Sequence, residues 1–270
     1  MKISIVTINY NNLEGLKRTA QSVISQTWRE FEWILIDGKS SDGSKEFIQN
    51  LATDSLNNIS YWCSEPDNGI YNAMNKGITK AKGTYLLFLN SGDELYDSFV
   101  IESVKDYLYD ADIIVGDCWA ISVTGIGRFN PQPETLSIDI LYNGSLCHPA
   151  SFIKSDILKP KGYREDLRIV SDWEFFLKSL IFEDKSYRHV PFKICKFYED
   201  GISQDKMKSN IERKSVISEY FPALLQDSIF GGTPLYKSLR LEPQNSFLYR
   251  TLWFIFKIMM KLRTILGNNK

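Results

Sequence analysis

The stretch Gly83-Thr84-Tyr85-Leu86-Leu87-Phe88-Leu89-Asn90-Ser91-Gly92-Asp93-Glu94 is a short, continuously apolar run entered from a glycine and broken by Ser-Gly-Asp. A strand buried on both faces has this pattern, because each face meets a layer of helices and neither charge nor alternation is tolerated. The break after Leu89 is a turn. In open α/β sheets ligands bind beyond the carboxyl ends of the strands, so Asn90, Ser91 and Asp93 are expected at the rim of a pocket. A plain Asx or glycine turn with a capping acid would use the same residues, and the neighbouring segments decide between the two.

Outward from this run the pattern recurs. Ile3-Ser4-Ile5-Val6-Thr7-Ile8 is β-branched and apolar and runs into Asn9-Tyr10-Asn11-Asn12, a buried first strand followed by a loop. Leu13, Leu16, Ala20, Val23 and Ile24 then recur at helical spacing, with Asn12 placed to cap. Phe31-Glu32-Trp33-Ile34-Leu35-Ile36-Asp37 reads as a second buried strand ending in an acid. Ile59-Ser60-Tyr61-Trp62-Cys63 reads as a third, with the loop Glu65-Pro66-Asp67-Asn68-Gly69 after it and a helix from about Ile70 to Lys80. Repeated strand–helix alternation predicts a parallel sheet with right-handed crossovers. Acids or amides end strand after strand. Carboxylates can hold ribose hydroxyls and a hard cation, while turn amides and helix N-termini face phosphate oxygens, so this rim suits a nucleoside diphosphate. No G-x-G-x-x-G follows the first strand and no G-x-x-x-x-G-K-[ST] loop occurs, which speaks against a dinucleotide or phosphate-loop site.

The bulk composition agrees with a folded enzyme. Of 270 residues, 43% are hydrophobic and 24% charged, values of a globular chain able to bury a substantial core. A net charge of -1 gives no basic surplus for a nucleic-acid partner. The four cysteines, Cys63, Cys118, Cys147 and Cys195, are far apart in sequence and lack C-x-x-C spacing, so they read as reduced, buried thiols of a cytoplasmic protein. The apolar stretch at the N-terminus is too brief for a signal-peptide core, and export is not expected.

Thr7-Ile8-Asn9-Tyr10-Asn11, Ile36-Asp37-Gly38-Lys39-Ser40-Ser41-Asp42-Gly43-Ser44, Asp67-Asn68-Gly69-Ile70-Tyr71-Asn72-Ala73-Met74-Asn75-Lys76-Gly77 and Phe88-Leu89-Asn90-Ser91-Gly92-Asp93 resemble, in order and spacing, the signatures of family 2 glycosyltransferases. The similarity covers roughly residues 1–200. It implies an α/β GT-A fold, with a Rossmann-like, mostly parallel central sheet flanked by helices. The catalytic domain would span 1–200, its nucleotide-sugar half about 1–117 and its acceptor half about 118–200. The resemblance further implies a nucleotide-sugar donor, UDP most commonly, an inverting mechanism and a divalent cation, Mg2+ or Mn2+. By matching positions, Thr7 and Asn9 would line the nucleotide pocket, Asp37 would hold the base or ribose, and Asp67, with Asn90 and Ser91, would sit near the nucleotide and diphosphate. The family's metal-binding segment is commonly D-x-D with a further acid, whereas this chain has Asn90-Ser91-Gly92 before Asp93. Asp93 is the nearest carboxylate and receives the metal role; weak or dispensable metal binding is the alternative.

Further along, Phe99 to Tyr109 reads as an amphipathic helix and Asp112-Ile113-Ile114-Val115-Gly116-Asp117 as a strand ended by Asp117, which would either touch substrate or make a turn. Gly125 to Pro133 suggests a hairpin and loop. Leu146-Cys147-His148-Pro149-Ala150-Ser151-Phe152-Ile153 resembles the family segment near donor sugar and acceptor, with His148 either facing substrate or satisfied by backbone. His189 alternates like a structural strand residue. Ser171 or Asp172 opens a helix with Trp173, Phe176, Leu177 and Leu180 on one face, and local chemistry alone makes Asp172 an N-cap. The resemblance implies instead that Asp172 is the general base, which takes the acceptor hydroxyl's proton.

Residues 201–270 are expected to form a helical C-terminal extension. Within it, 247–265 forms an amphipathic helix with Arg250, Lys257 and Lys261 along one stripe and aromatic and aliphatic residues over the rest. Such a helix suits an anionic membrane surface rather than a span, placing the enzyme on the inner face of the cell membrane beside a saccharide or polyprenyl-diphosphate-linked acceptor of surface polysaccharide. Packing on the domain, or on a second subunit of a homodimer, is the alternative. Two other readings compete. A sugar nucleotidyltransferase would open with a Gly-rich basic loop, which is absent after the first strand; a non-catalytic nucleotide-sugar-binding scaffold would account for the missing D-x-D acids.

Overall fold

In the computed structural model, residues 3–199, 201, 205–221 and 254 are described. The expected tail helix over 247–265 lies outside them, Phe254 apart. The chain runs β1 (Ile3–Asn9), α1 (Leu13–Ile24), β2 (Phe31–Asp37), α2 (Ser44–Ala52), β3 (Ile59–Ser64), α3 (Ile70–Lys80), β4 (Tyr85–Phe88), β5 (Glu94–Leu95), α4 (Val100–Val104), β6 (Ile113–Ile121), β7 (Gly127–Asn130), α5 (Ile138–Asn143), β8 (Ser151–Lys154), α6 (Ser155–Leu158), α7 (Ser171–Leu177), β9 (Tyr187–Tyr198) and α8 (Lys206–Tyr220). The strands form one sheet in the order β3-β2-β1-β4-β8-β6-β9-β5, with β7 on β6.

The run that opened the sequence reading is β4. All four of its residues are fully buried, and it lies parallel to β1, with Ile3 opposite Tyr85 and Val6 opposite Phe88. Its alternate side chains separate onto two layers. Tyr85 and Leu87 join Ile3, Ile5, Trp33 and Leu35 against α1 and α4, whereas Leu86 and Phe88 join Val6, Ile8, Ile34 and Ile36 against α3 and α7. Strict two-residue alternation with an apolar residue at every position gives a core on both faces. The four strands β3, β2, β1 and β4 are mutually parallel. Beyond β4 the sheet is mixed, because β8 meets both β4 and β6 antiparallel and only the β6–β9 pair is parallel.

Two sequence expectations are corrected here. The segment 112–117 does not end at Asp117: β6 continues through Cys118, Trp119 and Ala120 to Ile121, and Asp117 sits at an irregularity where the β6–β9 register shifts. The β-prone residues after Asp117 keep pairing, so the acid is accommodated by a bulge instead of a turn. The helix expected over 99–109 is also shorter, α4 giving way to a tight turn of 3₁₀ helix over Lys105–Tyr107.

The four cysteines are free thiols, and three of them converge: Cys118, Cys147 and Cys195 have sulfurs within 4.8 Å of one another. Among the described residues no helix is long and apolar enough to cross a membrane. The last described helix, α8, packs onto the domain, burying Val216, Ile217 and the following Phe221 in the α3–α7 layer.

Candidate active site

Asp37, at the end of β2, is fully buried and its carboxylate accepts from every side. Asn9 Nδ2 (2.8 Å) and Ser40 Oγ (2.5 Å) donate to Oδ1; Ser40 N (3.0 Å) and Ser64 Oγ (2.6 Å) donate to Oδ2. Burial alone would raise the carboxyl's pKa, but the bonds from Ser40, Ser64 and Asn9 outweigh it and hold Asp37 below its ordinary range, so it is ionised at neutral pH. These partners come from three adjacent strand ends, which the parallel register brings level: Asn9 lies opposite Asp37, and Asp37 opposite Ser64.

Asp67 belongs to the same rim. Its Oδ1 accepts from Gly69 N (3.0 Å), and a Cβ on Gly38 would fall 2.5 Å from its Oδ2, so only glycine at 38 lets this carboxylate lie against the β2 end. Asn9 presents an Oδ1 that is buried and without a hydrogen-bond partner. Thr7, by contrast, stays inside the sheet, fully buried, its hydroxyl accepting from Trp33 Nε1 at 3.0 Å.

The turn after β4 is tied to β1 and α1. Ser91 N donates to Ile8 O (3.0 Å), Asn12 Nδ2 donates to Ser91 O (3.0 Å), and the Thr19 hydroxyl bridges Gly92 N (3.0 Å) and Asp93 O (2.6 Å). Gly92 has φ +112, a conformation that an aspartate would adopt only with strain, which is a local reason for the missing acid of the D-x-D pattern. Asp93 is 8% exposed, and the Oδ1 of Asn90 is buried without a hydrogen-bond partner. Both are oxygen donors of the kind that Mg2+ or Mn2+ takes, so Asn90 and Asp93 are the residues of this turn that could hold such a cation. Among the described residues no group of three carboxylates or histidines converges here.

Across the rim, α7 begins at Ser171, with Asp172 its second residue. The helix has no side-chain cap, so Asp172 is not the N-cap that local chemistry suggests. Its Oδ1 instead accepts from the Tyr71 hydroxyl of α3 at 2.8 Å. Glu212 of α8 accepts from the backbone amides of Arg168 (2.8 Å), Ile169 (2.9 Å) and Val170 (3.2 Å), clamping the segment that presents Asp172. Arg168 reaches back to donate to Asn68 O, which joins the Asp67 loop to this segment. The Arg213 guanidinium lies 4.5 Å above the Trp173 ring and feels the Asp172 charge.

His148 is 7% exposed, stacked on Phe88 (5.0 Å) with Nε2 2.8 Å from the Tyr163 hydroxyl. Burial lowers its pKa, with the Asp172 charge opposing, so the ring is neutral at pH 7. Asp117 is 7% exposed, and its Oδ1 pairs with His189 Nε2 (2.9 Å) and accepts from Gln132 N (2.8 Å). Gln132 Oε1 in turn accepts from Cys147 N (2.8 Å), so Asp117 braces the loop that carries His148.

Tyr71, Thr19, Arg168, Glu212 and Arg213 are the site residues that sequence reasoning missed. Tyr71 lies in a segment it singled out and Arg168 just before another, but nothing local marks which polar tip will meet which partner. Glu212 and Arg213 fall after residue 200, where the domain was expected to end.

Comparisons with known proteins agree with this geometry. The family described as Glycosyl transferase family 2 matches residues 4–159. An uncharacterized glycosyltransferase of Mycobacterium tuberculosis is 33% identical over 216 residues, covering 77% of this chain and 79% of its own. A PGL/p-HBAD biosynthesis glycosyltransferase of Mycobacterium bovis is 29% identical over 204 residues, covering 73% and 77%. Among solved structures, S. aureus TarS in complex with UDP-GlcNAc aligns with TM-score 0.62 at 15% identity, over 99% of this chain and 92% of that one. The mannosyltransferase PcManGT from Pyrobaculum calidifontis, in complex with GDP-Man and Mn2+, aligns with TM-score 0.63 at 12% identity, over 97% and 86%. These two likenesses carry the GT-A fold.

Proposed function

The chain belongs to glycosyl transferase family 2 and is a glycosyltransferase, and from that premise we propose an inverting enzyme that moves a sugar from a nucleoside-diphosphate donor, UDP first, to a saccharide hydroxyl. The observation that carries the reading is Asp172: a carboxylate at the rim that does not cap its own helix, bonded through one oxygen and tied by Tyr71 to the loop of Asp67. The donor side is supported by the run of strand-end groups Asn9, Asp37, Asp67, Asn90 and Ser91, with Thr7 buried in β1 beneath them.

In the proposed reaction Asp37 and Asp67 hold the nucleoside end and the Asn90–Asp93 turn receives the diphosphate. The acceptor oxygen attacks the anomeric carbon opposite the leaving group, its proton passes to Asp172, and the bond to the diphosphate oxygen breaks with its electron pair leaving on the nucleotide. General-base help of this kind is worth about 10²–10⁴-fold. A divalent cation held by Asp93 and Asn90 would neutralise charge on the departing diphosphate. His148, with Tyr163 and Phe88, would form the apolar side of the sugar pocket, and Asp117 would act only by bracing the His148 loop.

For the acceptor, the sequence of 247–265, basic at Arg250, Lys257 and Lys261 among aromatic and aliphatic residues, supports a peripheral enzyme at an anionic bilayer, working on a polyprenyl-diphosphate-linked saccharide. Thermal shift with UDP, GDP and UDP-GlcNAc, each with and without Mn2+, tests the donor reading. Stabilisation by UDP that grows with Mn2+ is expected. Absence of stabilisation by any nucleotide would overturn it, and a UDP effect indifferent to metal would remove Asp93 from the metal role.

A further inference from the structure

Tyr71 stands where the donor-side motif and the base-bearing helix meet. It is the second residue of α3, 5% exposed, with its ring 5.7 Å from that of Tyr163. Its hydroxyl oxygen lies 2.7 Å from the Ile169 carbonyl and 2.8 Å from Asp172 Oδ1. A phenol has one proton and two lone pairs. Two acceptors then compete for a single proton. Charge decides between them: a hydrogen bond to a carboxylate is about twice as strong as one to a neutral carbonyl.

We propose that Tyr71 is a positioning residue for the transfer reaction, its one phenolic proton directed at Asp172 while that residue is a carboxylate and turned to the Ile169 carbonyl once Asp172 has taken the acceptor's proton. This rests on the reading of Asp172 as general base. The only proton that changes owner is the acceptor's, which goes to Asp172; the phenol rotates and stays neutral throughout. Burial, and then the neighbouring Asp172 charge, keep the phenol from ionising. The arrangement holds Oδ1 in one direction and leaves Oδ2, which carries no hydrogen bond among the described residues, for the acceptor hydroxyl. Among the described residues, the ionisable groups that feel the Asp172 charge include Tyr71 from α3, His148 and Tyr163 from the segments around β8, and Arg213 from α8. Of these, only Tyr71 donates to its carboxylate.

The test uses the full chain with Mn2+ and reads UDP release from UDP-GlcNAc, UDP-GalNAc, UDP-Glc and UDP-Gal, water serving as acceptor. In Tyr71→Phe, kcat is expected to fall about tenfold with the donor KM unchanged, and the acidic limb of the pH–rate profile to move up by about one pH unit, because the ionised carboxylate has lost a charge-assisted donor. Added to Asp172→Asn, Tyr71→Phe should cost nothing further. A merely structural tyrosine would lower Tm and scale the rate equally at every pH, and that result overturns the proposal. Replacing Tyr71 by 3-fluorotyrosine keeps ring and hydroxyl but donates more strongly, so the limb should move down; if Tyr71→Phe does not fold, an unmoved limb in this variant is decisive against it. Asp172→Asn that retains wild-type turnover, or no release from any of the four donors, sinks the general-base reading itself. A dead Asp172→Asn with an unmoved limb sinks only the role of Tyr71.

Discussion

The two carboxylates at opposite ends of the rim are built in opposite ways. Asp37 takes four hydrogen bonds from Asn9, Ser40 and Ser64, all supplied by neighbouring strand ends, and is fully buried. Asp172 is half-buried and takes one, from a tyrosine 101 positions away in sequence, with the preceding backbone at Arg168, Ile169 and Val170 held by a glutamate of α8. A carboxylate with every lone pair engaged is a fixed negative anchor that organises a loop. One with an open oxygen can accept a proton from outside. In the proposed reaction this difference separates holding the donor from activating the acceptor.

The sharpest way to break this comparison is Asp172→Asn. Turnover, read as UDP release, should fall by about 10²–10⁴-fold, while the thermal stabilisation produced by UDP and Mn2+ stays at its wild-type size. Asp37→Asn should do the reverse in kind, weakening UDP stabilisation and lowering the stability of the free protein by about 1–3 kcal/mol, because Ser40 and Ser64 lose a charged acceptor. Its pH signature has a definite sign. The folded carboxyl is held below its ordinary range, so its contribution is present above the unfolded value near pH 4 and is lost as pH falls through the folded value; the wild type should lose stability faster than Asp37→Asn in acid melts.

Smaller effects sharpen the contrast. Asp93→Asn should remove the Mn2+-dependent part of the UDP shift, corresponding to roughly tenfold weaker binding, or about 1.4 kcal/mol, with the metal-free shift unchanged. Glu212→Gln keeps the shape of the clamp on residues 168–170 but weakens charge-assisted bonds, so kcat should drop about threefold at unchanged UDP affinity. An equal loss in UDP binding would mean that the two ends of the rim are not separable.

Much of the donor side was legible because it is local. The apolar runs of β1, β2 and β4 and the polar residues after them are contiguous in sequence, and the helix from Ile70 to Lys80 was readable from its own periodicity. Elsewhere, local reading misjudged the geometry. Asp117 looked like a strand end, yet the β-prone residues after it keep pairing and its carboxylate holds His189 and Gln132. Asp172 looked like a cap, yet α7 has no side-chain cap and the carboxylate accepts from the Tyr71 hydroxyl instead.

Pattern along the chain therefore determined which segments are strands, which are helices and which residues end the strands, because burial on two faces demands an unbroken apolar run and backbone turns demand polar or glycine residues. It also carried the family, through the order of four short motifs. What the tertiary structure decided is how completely each carboxylate is engaged. Asp37 and Asp172 are the same residue type at similar-looking element ends, and their difference comes from partners on other elements: Ser64 and Asn9 in register beside one, Tyr71 and Glu212 from distant helices around the other. A side chain's chemistry is set by the groups within hydrogen-bond reach, and packing brings them there from positions that no local pattern records.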